Sequence, residues 1–121
     1  MRYIYHITRP SAWKTAQQKG KYQPESLQAE GFIHCSTTEQ VAPVANAFYR
    51  EQKELLLLVI DPKKLTAPLQ WDPPAHPAPK SAPASLEQNF PHIYGALNLD
   101  AVVEARPMRK DSAGNFAFPT S

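Results

Sequence analysis

"ELLLLVID", residues 54 to 61, is the stretch whose reading decides the fold. Six apolar residues follow one another between Glu54 and Asp61, and Pro62 ends the run. Half-buried strands alternate apolar with polar, so a continuous run of this length, closed by a proline, reads as a strand covered on both faces. The other segments must then supply the covering layers.

Working outward, "RYIYHIT" (residues 2–8) alternates and is rich in aromatic and β-branched residues, which reads as a first strand. A period of two puts Ile4, His6 and Thr8 on one face and Tyr3, Tyr5 and Ile7 on the other. "TRPSAWKTAQQKG" carries helix signals: Thr8 or Ser11 can cap, Pro10 suits the first turn, and Gly20 suits the position past the end. "KYQPESLQAE" shows little pattern and reads as a polar connection. "GFIHCS" reads as a short strand, and "STTEQVAPVANAFYR" as a helix with Val41, Val44, Ala45 and Phe48 on its buried face. Ser36 to Glu39 has the form of a capping box. Pro43 leaves two readings open, a kinked helix or one starting nearer Val41.

Seven of the 13 prolines fall between Pro68 and Pro91, so residues 68–91 read as a long extended loop without regular helix or ladder. "FPHIYG" and "AVVEARPMR" read as two further strands, and "KDSAGNFAFPTS" as a turn at Ala113-Gly114-Asn115 with a loosely held end. There is no internal repeat, and strands do not alternate with helices as βαβ units. The expectation is a single mixed α+β domain over residues 1–121.

Composition narrows the classes. A net charge of +2 with dispersed Lys and Arg argues against a duplex-binding stripe. Cys35, the sole cysteine, excludes an internal disulfide and suits a reducing cytoplasm. The N-terminal stretch has no apolar core of signal-peptide length, and "LLLLVI" is far below the ~20 residues that span a bilayer. No sequence feature bears on self-association.

Three histidines recur in one pattern: His6, His34 and His92 each precede a hydroxyl residue (Thr8, Ser36, Tyr94) by two positions. On a strand that spacing puts both side chains on one face. Imidazole can donate, accept or titrate near neutral pH, and hydroxyls adapt their hydrogen bonds, a combination suited to a polyhydroxylated or phosphorylated small molecule. Taken singly, such a histidine is more often a satisfied core residue, and Ser36 could be a helix cap; the threefold repetition is what favours function. Cys35, on the opposite face from His34, reads as core filler. No ligand pair has zinc-motif spacing, so no metal is expected, and His76 in the proline-rich loop reads as incidental. A Ser-His-Asp hydrolase lacks its G-x-S-x-G elbow and any acid placed to orient a histidine. Four glycines form no phosphate-cradling loop.

The ordered blocks "IYHIT", "EGFIHCST", "LLLLVID" and "FPHIYG", running from Tyr3 to about Arg109, closely resemble the bacterial family catalogued as domain of unknown function 952. The resemblance implies an ADP-ribosyltransferase-like fold, a split and bent pair of small sheets with an NAD cleft between them. Relatives on that fold include RNA 2'-phosphotransferases. By that resemblance His6 would grip ribose hydroxyls with Tyr5 and Thr8 adjacent, and His34 and Ser36 would support the nicotinamide ribose. His92 would stand where such transferases place a glutamate. That exchange disfavours protein ADP-ribosylation, because a carboxylate is the natural stabiliser of a ribosyl cation.

The expectation is therefore a cytoplasmic domain binding NAD or another small-molecule nucleotide, with no membrane partner and RNA only as a phosphorylated substrate. His34 and His92 are the candidate catalytic residues. Tyr5, His6, Thr8, Ser36 and Tyr94 are candidate ligand contacts, with Tyr94 or Trp71 stacking on a base. Arg2, Arg9 and Lys14 are candidate phosphate contacts, and the proline-rich loop a candidate lid. The alternatives are a non-catalytic binding module on the same fold and a purely structural domain.

Overall fold

The computed structural model describes residues 2–76 and 82–119. The apolar run forms β4 (Glu54–Ile60), the central strand of a three-stranded antiparallel sheet, between β1 (Ile4–Thr8) and β8 (Val102–Arg109). Its side chains alternate into two cores, as a strand covered on both faces must. Leu58 and Ile60 join Ile4 on one side, while Leu55, Leu57 and Val59 join Tyr5 and Ile7 on the other. The face assignments expected for β1 hold.

The second core is closed by α3 (Thr38–Phe48) through Val41 and Ala45, and by Phe116 from the C-terminal segment. That segment corrects the expectation of a loose end. Phe116 is buried, its backbone exchanges two hydrogen bonds with the Asn46 side chain, and Phe118 meets the Tyr5 ring edge-on at 5.2 Å. The turn before it is as expected, with Gly114 at φ +82° and the Asp111 carboxylate accepting from Ala113 and Asn115.

The first core lies between the central sheet and the remaining elements: α1 (Pro10–Lys19), the pair β2 (Lys21–Tyr22) and β7 (Leu97–Asn98), and a second three-stranded sheet. That sheet is ordered β3-β6-β5, with β3 Ile33–His34, β6 Phe90–Ile93 and β5 Leu69–Asp72. Among the described residues, one backbone bridge joins it to the central sheet. Tyr5 and Ser36 exchange two backbone hydrogen bonds of 2.9 and 2.7 Å.

Several local expectations change. Arg9, not Thr8 or Ser11, stands at the cap of α1 and makes no side-chain bond there, and Phe48 of α3 is exposed rather than on the buried face. "KYQPESLQAE" is not mere connection: it forms β2 and a short helix, α2 (Glu25–Glu30), ended by Gly31 at φ +89°. The capping box sits one residue later than read, with Thr37 as the cap and Gln40 Oε1 accepting from the Thr37 N–H at 3.0 Å. Helix α3 starts at Thr38, not nearer Val41, and continues past Pro43 with one backbone bond lost there. Finally, the proline-rich segment does contribute a ladder. β5 lies at the sheet edge, paired only with β6, and its prolines flank it rather than interrupt it. A 3₁₀ turn at Ala84–Glu87 follows. The lid reading rests partly on residues 77–81, outside the described residues. No described helix is long and apolar enough to cross a membrane.

Candidate functional site

The antiparallel pairing of β3 with β6 sets His34 opposite His92. Neighbours across such a pair share a face, so the two imidazoles meet edge-on at 5.4 Å. Phe32, two residues before His34, joins them. Its ring stacks on His92 at 4.1 Å and 20° and meets His34 edge-on at 4.8 Å.

His92 is held from behind by Asp72 of β5. Gln70 is its direct partner in the ladder, so Asp72 is the diagonal neighbour, within reach of a carboxylate. The His92 Nδ1–H donates to Asp72 Oδ2 at 2.9 Å, and the Tyr94 hydroxyl donates to the same oxygen. Both bonds lower the Asp72 pKa, the Tyr94 bond the more. Burial lowers that of His92 while the Asp72 bond opposes it. The neutral ring thus carries its proton on Nδ1 and leaves the Nε2 lone pair unbonded by any described residue. An acid does orient a histidine here, contrary to the sequence expectation.

His34 faces the other way chemically. Its Nε2–H donates to Glu30 Oε2 at 2.6 Å, and His76 Nε2 lies 3.1 Å from Glu30 Oε1. These pairings, His34 first, hold the Glu30 carboxyl below its usual range. His76 is therefore part of the arrangement, not incidental. The αL turn at Gly31 carries the chain from α2 into β3, which is how Glu30 comes to face His34.

A cleft of about 610 Å³ opens over this surface. His34, Ser36, His92, Glu30 and His76 line it, with Phe48, Tyr49 and Phe90 among the apolar walls. Ser36 is released for it because Thr37 takes the capping role. Cys35 lies in the first core, and burial raises its thiol pKa, which fits core filler.

The other expected ligand contacts go elsewhere. His6 and Thr8 line a separate hollow of about 540 Å³, which adjoins the first at His34 and Tyr49 and also carries Arg9, Lys19 and Lys21. His6 itself is consumed internally. Its Nδ1–H donates to the His34 carbonyl at 2.6 Å, and Nε2 lies 2.7 Å from the Tyr22 hydroxyl. Burial pulls its pKa down to about 4, so the ring is neutral and Nε2 must accept the Tyr22 proton. Tyr22, its own pKa pushed up to about 12 by burial, sits 2.9 Å from Thr8 Oγ1. Tyr5 puts its ring into the second core. Trp71 lies with Arg2 and Tyr3 beside a third, smaller hollow. Tyr94 stands behind His92 rather than in the cleft. The expected convergence therefore holds for His34, Ser36 and His92, and fails for Tyr5, His6, Thr8, Trp71 and Tyr94.

Sequence reasoning missed Asp72, Glu30, His76 and Phe32. Phe32 alone had a signal, since strand periodicity puts it on the His34 face. Asp72 depends on which strands pair, Glu30 on the turn at Gly31, and His76 on the course of the segment after β5.

The sequence matches the model of a family described as "Protein of unknown function (DUF952)" over residues 7–105, and the chain belongs to that family. Among solved structures it is similar to the crystal structure of protein CC0527 from Caulobacter crescentus. The two are 27% identical, with a TM-score of 0.77 over 95% of this chain and 93% of that one. The solution structure of CC0527 gives 27% identity and a TM-score of 0.70 over 95% and 91% of the two chains. No curated protein matches the sequence.

Proposed function

We propose that this member of the DUF952 family binds a nucleotide, NAD in the first instance, in the cleft over β3 and β6, and that His92 moves a proton there. The observation that carries the reading is the Asp72–His92 pair. A carboxylate bonded to Nδ1 fixes the tautomer with a basic Nε2, the arrangement a general base requires. His92 lines the cleft while Asp72 sits behind it, so the ring can take a proton from a bound hydroxyl.

Support for a nucleotide comes from the surroundings. Phe48, Tyr49 and Phe90 offer flat apolar surface for a base, and His34 and Ser36 offer polar contacts for a ribose. Arg9, Lys19 and Lys21 in the adjoining hollow could meet phosphates. Two small sheets linked by the Tyr5–Ser36 bridge and the neighbouring His6–His34 hydrogen bond are the kind of division an ADP-ribosyltransferase-like cleft would need. On this reading the reaction is nearer to phosphate transfer onto NAD than to ADP-ribosylation of protein. An imidazole backed by a carboxylate handles protons well but stabilises a ribosyl cation poorly.

The test is calorimetric titration with NAD, followed by assay of released nicotinamide with and without a 2'-phosphorylated RNA oligonucleotide, and of phosphate transfer from that oligonucleotide to NAD. Binding with turnover that His92→Ala abolishes is the expected result. Binding without turnover selects a non-catalytic module, and absence of binding sinks the nucleotide reading.

A further inference from the structure

We propose that Glu30, His34 and His76 form a binding site for one divalent transition-metal cation, zinc in the first instance, at the edge of the cleft. Three separate segments deliver these side chains: the end of α2, β3, and the segment following β5. One ligand atom from each lies within 4.8 Å of the other two. The Nε2 atoms of His34 and His76 lie 2.6 and 3.1 Å from the two oxygens, Oε2 and Oε1, of the Glu30 carboxylate. Four tetrahedral ligands around zinc, at bond lengths near 2.0–2.2 Å, stand about 3.3 Å from one another. Shifts on the order of an ångström in exposed side chains would admit the ion.

Ordinary ion pairing explains this cluster less well. An exposed pair gains little and needs only one histidine, whereas here both imidazoles converge through Nε2. The His34 ring is also held in place before any ion arrives. Phe32, His92 and His76 stand around it at centroid distances of 4.8, 5.4 and 5.3 Å, and its carbonyl accepts from His6. Preorganised ligands of this kind distinguish a site from a chance encounter.

The donor set selects the ion. Two imidazoles and one carboxylate suit zinc or cobalt, not magnesium, which prefers oxygen ligands and holds its waters. Coordination takes the Nε2 lone pairs, so each ring carries its remaining proton on Nδ1. Three protein ligands leave a fourth position for water or a ligand atom, and all three side chains line the cleft.

The proposal needs no nucleotide, and its test uses none. The tag-free full chain, stripped of metal with a chelator, is titrated calorimetrically with Zn²⁺ and in parallel with Mg²⁺. The expected result is one Zn²⁺ per chain, bound tighter than about 100 μM, with no Mg²⁺ binding at that level. Glu30→Gln and His76→Ala should each weaken Zn²⁺ at least tenfold while keeping the thermal unfolding transition of the parent. Both positions have exposed side chains, so neither change threatens the fold. Zinc affinity weaker than that limit, or unchanged in both variants, overturns the site.

Discussion

His6 and His92 share a local sequence pattern and end in opposite circumstances. Each sits on a strand with a hydroxyl residue two positions on, and in each case a third side chain ties histidine and hydroxyl together. For His6 the tie is Tyr22, an aromatic from β2 that closes the network against the first core. For His92 it is Asp72, an acid from an edge strand with its carboxylate partly in solvent. One network uses both ring nitrogens inside the protein, while the other leaves a nitrogen free of described partners. The recurring pattern thus marks a hydrogen-bonded face. The neighbouring strand decides whether that face is structural or chemical.

The contrast can be broken most directly by truncation. His6→Ala should cost about 3–4 kcal/mol in urea unfolding, because it opens a void and takes one hydrogen-bond partner from both the Tyr22 hydroxyl and the His34 carbonyl. A loss below about 1 kcal/mol would mean that the His6 network is not structural. Acid sharpens the same point. The His6 pKa falls from 6.5 in the unfolded chain to about 4 in the folded one, so between those values the unfolded state binds a proton that the native state refuses. Stability should therefore drop by about 3 kcal/mol as pH falls from 6.5 to 4, from this residue alone. His92, shifted in the same direction, adds to the loss. His6→Ala should remove the His6 share, and an unchanged pH dependence in that variant would refute the assignment.

Next in size is Gly95, just past Tyr94. A Cβ there would stand 2.7 Å from the Cβ of Ala67, and the Tyr94 N–H donates to the Pro68 carbonyl beside it. Gly95→Ala should cost about 1–3 kcal/mol, and adding Ala67→Gly should recover most of it if this close approach is what matters. Smallest on stability is Asp72→Asn, expected within about 1 kcal/mol because the edge strand and its packing stay in place. Its effect belongs in the ring. Asp72 raises the His92 pKa against burial, so NMR titration of the variant should find His92 titrating lower than in the parent. A rise, or no change, would remove Asp72 from its orienting role.

Much of the fold was legible in the residues themselves. β4, β1, β8 and α3 follow from apolar period and polar boundaries, and α1 from Pro10 and Gly20 at its ends, which are local properties of the chain. β5 escaped because its four residues, Leu69–Asp72, lie among prolines, and an edge strand needs only one hydrogen-bonded side. The structured C-terminal segment escaped because its order comes from Asn46 and Tyr5, distant along the chain. α2 escaped because its six residues bury none of their number.

The site divides in the same way. Residue types and strand spacing alone determined that His34 shares a face with Ser36, that His92 shares one with Tyr94, and that Cys35 points elsewhere. Which histidines meet, which acid stands behind one of them, and which ring is shut away were decided only by tertiary structure. The reason is physical. Side-chain direction along a strand follows from its pleat, whereas a partner is set by register between strands remote in sequence, where a slip of one residue turns every side chain to the other face.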